Sequence, residues 1–237
     1  MQSLDGAYQR VKRARKHLAN LKKRVNALRQ VIYDSIVIER KPALFQLPDG
    51  RKVKGLLGSA RATLVKSPYI ITILVGETIY NLRAALDYLI YELAKFDSKQ
   101  IVEGTQFPIE DSVQGFNSRT GDLSVKRKGV YLRGISDKHI AIIKGLQPCY
   151  GCQWTKVLRG ISNPDKHREL TIIRRGVGLN IVPGGRAEVI IAGKPVEVKD
   201  TISIDIAFSD GTPIIETLEQ LHSEITKVLD LFKPEFK

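Results

Sequence analysis

The sequence predicts an α+β fold that is mainly helical: a bundle of four or five helices with a small antiparallel sheet and a long N-terminal amphipathic helix. Three observations carry this reading. Apolar residues recur at steps of three and four through Val11, Ala14, Leu18, Leu21, Val25, Leu28 and Ile32, the period of a helix with one buried stripe. The same period returns in Val75, Ile79, Leu82, Leu86, Leu89 and Leu93, and again in Ile214, Leu218, Leu221, Ile225, Val228 and Phe232. Between Arg186 and Phe208 it changes to two, in AEVIIAGKPVEVKDTISIDIAF, which suits strands turning at Gly-Lys-Pro.

In chain order, residues 1–40 form a basic amphipathic arm, and residues 41–237 form a single α+β domain. The outer faces of the arm carry Arg10, Lys12, Arg13, Arg15, Lys16, Lys22, Lys23, Arg24 and Arg29 with almost no acid among them. Arg13, Lys22 and Lys23 are therefore expected to meet phosphates. LFQLPDGRKVKGLL then places a Pro-Asp-Gly turn between short apolar stretches, as in a hairpin. The central helix covers 69–96, with Glu77, Asn81, Ala84 and Tyr88 opposite its apolar stripe, so it should be packed on both sides. Residues 97–135 are polar and broken, which predicts surface loop with Phe107-Pro108-Ile109 as an apolar anchor.

Short helices are expected at 137–146 and 154–161. The stretch SNPDKHREL allows either a new helix capped by Asn163 and opened by Pro164, or one helix kinked at Pro164. A β-hairpin or meander at 186–209 and a C-terminal helix at 212–233, capped by Thr212, complete the chain. The terminal helices share one apolar spacing, which suits pairing with each other or joining two copies as a homo-oligomer.

The 38 Lys and Arg against 25 Asp and Glu give a formal charge of +13, which favours RNA or another polyanion as partner. The opening MQSLDGAYQRVKR has no apolar stretch behind its charges, so the expected location is cytoplasmic. The longest apolar run, residues 69–75, is too short to cross a bilayer. Cys149 and Cys152 stand alone, without the further ligands zinc requires, and read as two reduced thiols beside a turn. No phosphate loop, dinucleotide loop or metal-binding helix motif occurs, so no cofactor or metal is expected. His17, His139 and His222 have no ligand spacing and are expected at the surface.

Two polar clusters are the candidates for chemistry. On the central helix, Glu77 and Asn81, and Arg83 and Asp87, lie four residues apart, the spacing of facing pairs. The second cluster is Asn163, Asp165, Lys166, His167 and Arg168, which supplies cations and a titratable imidazole. His167, with Arg83 and Asp165, is the candidate for proton transfer, and Lys166 and Arg168 for holding phosphate. Glu77, Asn81, Asp87 and Asn163 are candidate supports.

With these clusters, the chain resembles a family of bacterial proteins that share a GExxxNLRxALD helix, an FPI segment, a QP turn and NxDKHR in that order. Here they are Gly76 to Asp87, Phe107 to Ile109, Gln147-Pro148 and Asn163 to Arg168. The resemblance spans about residues 70–170 and implies no particular activity. A weaker similarity is to the HEPN superfamily of helical bundles, whose members include metal-independent ribonucleases with an arginine, a following polar residue and a histidine. Asn163 and His167 match the last two places, while Ser162 stands where the arginine belongs. The nearest upstream arginine, Arg159, is separated from His167 by seven residues, more than that motif allows.

Overall fold

A computed structural model of the protein describes residues 3–35, 37–46, 50–61, 68–121, 129–167, 173–175, 187–191, 194–198, 205–208 and 210–236. The side chains of residues 163–167 and of most strand residues lie outside that description, as does the whole of Arg168. The protein is mainly helical, with six α-helices among the described residues.

Helix α1 (Asp5–Asp34) buries the stripe that its sequence spells out, from Val11 to Ile32, and extends it back to Leu4 and Ala7. It packs against α2 (Tyr69–Ser98) and α6 (Ile214–Phe232) and runs antiparallel to both. Gly6 lies against Tyr88 and His17 against Glu77 on α2, while Tyr8 meets Asp230 and Lys22 meets Glu219 on α6. The crossing with α2 requires Gly6, because a Cβ there would lie 2.8 Å from the Tyr88 ring. All three stripes fall in one apolar cluster. The arm of the sequence reading is thus part of the bundle core, where each fully buried leucine such as Leu21 or Leu89 contributes about 2 kcal/mol.

Helix α2 starts after Pro68 and ends at Lys99, which takes a left-handed conformation (φ 58°). Its buried residues spread well beyond one stripe, and it packs against α1 and α6 as well as α5 (Gln153–His167), as a helix covered on several sides must. Between α2 and α5 lie α3 (Val113–Asn117), capped by the Ser112 hydroxyl, and α4 (Asp137–Gly145). Asp97, in the last turn of α2, accepts the Ser136 N–H at 2.8 Å and so ties down the start of α4.

Residues 97–135 are more than surface loop. Phe107, Phe116 and Leu132 are fully buried there, drawn to the core by contacts distant in sequence, while Ile101 and Val113 stay exposed. Of the two readings of SNPDKHREL, the structure adopts one helix that runs through Pro164 to His167. At α6, Pro213 occupies the cap position, where the sequence reading places Thr212.

Strands β1 (Val37–Gln46) and β2 (Lys52–Arg61) pair antiparallel, with Gly50 at φ +84°, while Pro48 and Asp49 of the expected Pro-Asp-Gly turn lie outside the described residues. Farther on, β3 (Ile173–Arg175) pairs with β6 (Asp205–Ala207), and β4 (Ala187–Ile191) with β5 (Lys194–Val198). Among the described residues these are separate two-stranded pairs and do not join into one sheet. No helix among them is long and apolar enough to cross a membrane.

Candidate functional site

The polar groups of the central helix divide between two tasks. Glu77 reaches across to His17 on α1, with Oε2 2.9 Å from Nδ1. Asn81 is buried and donates from Nδ2 to the Glu77 backbone carbonyl at 2.7 Å, while its Oδ1 has no partner among the described residues. The expected side-chain pairing of Glu77 with Asn81 is thus replaced by a backbone contact on one side and a contact with α1 on the other.

Arg83 and Asp87 lie 3.6 Å apart, but both grip the backbone of the same residue, Phe107. Arg83 Nη2 donates to the Phe107 carbonyl, and Asp87 Oδ1 accepts the Phe107 N–H at 3.0 Å. This clamp holds Phe107-Pro108-Ile109 on α2 and accounts for charged residues on a core helix, since each satisfies a polar group that burial would otherwise strand. Burial pushes the Arg83 guanidinium below its usual value, against the opposing pull of Asp87 and Tyr131.

Beyond the clamp is a cavity of about 140 Å³, lined by Arg83, Gln106, Glu110, Arg119, Tyr131, Arg159 and Ser162 together with the Phe107-Pro108-Ile109 segment. Arg119 Nε donates to Glu110 Oε1 at 2.7 Å, its Nη1 reaches the Gly129 carbonyl at 3.3 Å, and its guanidinium lies 5.0 Å from the centre of the Tyr131 ring. Arg159, on α5, pairs with Asp111. The central helix and α5 therefore meet at one cavity through Arg83, Arg159 and Ser162. The side chains of Asn163, Asp165, Lys166 and His167, and all of Arg168, lie outside the described residues, so the second cluster is placed only as the C-terminal half of α5.

The cations of α1 occupy a different surface. Arg10, Lys12, Arg13, Lys16 and His17 line an open depression of about 640 Å³. Arg10 lies 5.3 Å from the Tyr88 ring centre and donates to the Tyr88 hydroxyl at 3.3 Å, a contact that raises its pKa above the ordinary value. Tyr80, eight residues from Tyr88 on the same helix, is 60% exposed and Tyr88 is 40% exposed. Of the three cations expected to meet phosphate, Arg13 and Lys23 are exposed, whereas Lys22 is engaged by Glu219 on α6.

Sequence reasoning passed over Arg119 and Tyr131, which stand in irregular chain where no periodicity marks them. It also passed over Tyr80, whose spacing from Tyr88 on the polar side of α2 was a usable signal.

The histidines also differ from expectation. His139 is buried, with Nδ1 2.7 Å from Asp97 Oδ2 and its ring beside Phe96 and Phe232; the aspartate that makes this burial tolerable lies 42 residues away in sequence. His222 is half-buried against α1, where desolvation lowers its pKa, a hydrogen bond to the Val11 backbone opposes that, and Arg15 adds to it. Cys149 and Cys152 are half-buried free thiols beside the turn at Gly151. Comparisons with protein-family models, curated proteins and solved structures give no match.

Proposed function

We propose that this protein binds single-stranded RNA in the bacterial cytoplasm, across the face where α1 lies beside α2. Arg10, Arg13, Lys16 and Lys23 would take phosphates, and Tyr80 would take a base. The observation that carries this reading is the exposed Tyr80 ring beside a helix face with several cations and little acid. Exposed cations gain affinity for a polyanion by releasing its condensed counterions, and an aromatic face accepts any base without regard to sequence. The catalytic extension is metal-independent cleavage of the HEPN kind on α5. There His167 would remove the 2′-hydroxyl proton as that oxygen attacks phosphorus and the bond to the 5′ oxygen breaks, that oxygen taking a proton from water, while Lys166 and Arg168 hold the phosphate. Support for it is that Arg159, on the same helix as Asn163 and His167, lines one cavity with Arg83 of α2.

Titration of a fluorescent single-stranded RNA at low and moderate salt tests the binding. Affinity should fall steeply with salt and drop again in an Arg13→Glu, Lys23→Glu variant; binding that is absent or indifferent to salt overturns the reading. Incubating RNA with the protein in EDTA, against His167→Ala, tests cleavage separately, and equal traces sink the catalytic extension.

A second reading, a non-enzymatic helical interaction module, is favoured by one specific observation: Arg83 and Asp87 are both occupied in holding the Phe107 backbone. Light scattering on the full-length chain reads it, since a mass of two or more copies supports the module and a monomer removes the self-association. Truncation of residues 1–40 is unsuitable here, because it would strip α1 from the core.

A further inference from the structure

We propose that the cavity between α2 and α5 is a binding site for a single phosphate group, held by Arg83, Arg119 and Arg159. The inference rests on the cavity and not on RNA binding across the α1 face.

The lining carries three arginines and one carboxylate, Glu110, while Asp87 and Asp111 pair with Arg83 and Arg159 from beside it, so a ligand here would be held by unused N–H donors and not by an excess of charge. These arginines come from three separate parts of the chain: α2, the segment after α3, and α5. Convergence of that kind is costly for a packed protein unless the charges are compensated. Each guanidinium offers five N–H groups in a fixed fork. The protein uses only part of each fork. Arg83 donates through Nη2, Arg119 through Nε and Nη1, and Arg159 through Nη1. The other donors of these three meet no acceptor among the described residues. The carboxylates thus hold each arginine in place and leave a second edge for a ligand, as a preorganised oxyanion site requires.

Size narrows the ligand. A cavity of about 140 Å³ has the volume of between four and five waters of the bulk liquid, at about 30 Å³ each. That space admits a tetrahedral phosphate, and because the pocket opens to solvent, whatever the phosphate is attached to would lie outside it. The Arg119 guanidinium, stacked on Tyr131 and tied to Glu110, has its plane set by two contacts and suits bidentate donation to a phosphate edge. The phosphate could be free or could end a nucleic-acid strand, because both present the same oxygens to the arginines.

Isothermal calorimetry on the full-length protein tests the site with three probes: inorganic phosphate, a short single-stranded RNA with a 5′-phosphate, and the same RNA with a 5′-hydroxyl. Saturable binding of inorganic phosphate is expected, weakened about tenfold or more in Arg159→Gln, which removes charge-assisted hydrogen bonds. Asp111→Asn keeps all three arginines while freeing Arg159 from its partner, and it should tighten phosphate binding. This second variant keeps the test decisive if Arg159→Gln misfolds.

Preference for the 5′-phosphorylated strand over the 5′-hydroxyl strand identifies a strand end as the source, and equal affinity for the two identifies free phosphate. Absence of saturable phosphate binding overturns the proposal, as does phosphate binding that neither variant alters. RNA binding could survive either result, so failure of this site and failure of the RNA reading are separable.

Discussion

The α1 face and the α2–α5 cavity both gather cations, yet they are built in opposite ways. On α1, Arg13 and Lys23 stand in water on one continuous helix, placed there by the same periodicity that buries Leu18 and Leu21. Around the cavity, Arg83, Arg119 and Arg159 come from distant parts of the chain, and each is tied to a carboxylate or a peptide carbonyl. An exposed cation is screened by salt and contributes little to folding. A buried one such as Arg83 is part of the packing, and its removal leaves the groups it meets stranded, whereas Arg159, 38% exposed, stands nearer the open case. The first arrangement suits a long, variable polyanion, and the second a small ligand of fixed shape.

The largest expected effect is at the enclosed end of this comparison. Arg83→Met removes the donor to the buried Phe107 carbonyl and the cation beside Asp87, which should cost about 2–3 kcal/mol of stability by urea denaturation. Arg13→Met, on the open face, should change stability by less than about 0.5 kcal/mol. Comparable losses for the two would break the distinction.

Next in size, Tyr80→Ala should weaken single-stranded RNA binding by roughly tenfold, within the range for removing one stacked base, while Tyr80→Phe retains it. Fluorescence anisotropy reads both variants, and an unchanged affinity in Tyr80→Ala would take the aromatic component out of the open face.

The smallest effect is a pH dependence at the seam beneath that face. Burial holds His222 below its ordinary pKa of 6.5, so the fold favours the neutral ring. Stability from this source is present above about pH 6.5 and is lost as pH falls through that value toward the folded pKa, because the unfolded chain binds the proton more readily. Urea midpoints should therefore decline modestly between about pH 7.5 and 5, with a flatter decline in His222→Gln. Identical slopes for the two proteins would show that the seam does not sense this proton.

Much of the bundle was legible before any coordinates. The stripes of α1, α2 and α6 are local facts of spacing, and the antiparallel pairing of β1 with β2 joins neighbouring stretches of chain. The candidate site was legible only in part. Arg83 and Asp87 read as a pair, but the sequence does not show that both hold Phe107, twenty residues beyond Asp87. His139 read as a surface residue because its partner Asp97 belongs to another helix.

By itself the sequence determined which faces of the helices are apolar, where α2, α4 and α6 begin and end, and that α1 carries an excess of positive charge. Periodicity and composition are properties of short stretches, so they survive without knowledge of the fold. Only the tertiary structure decided that α1 belongs to the core, that Lys22 is taken up by Glu219, and that Arg83, Arg119 and Arg159 share one cavity. Each of these depends on residues brought together from distant parts of the chain. The free energy of such contacts comes from burial and pairing across that separation, which no local pattern records.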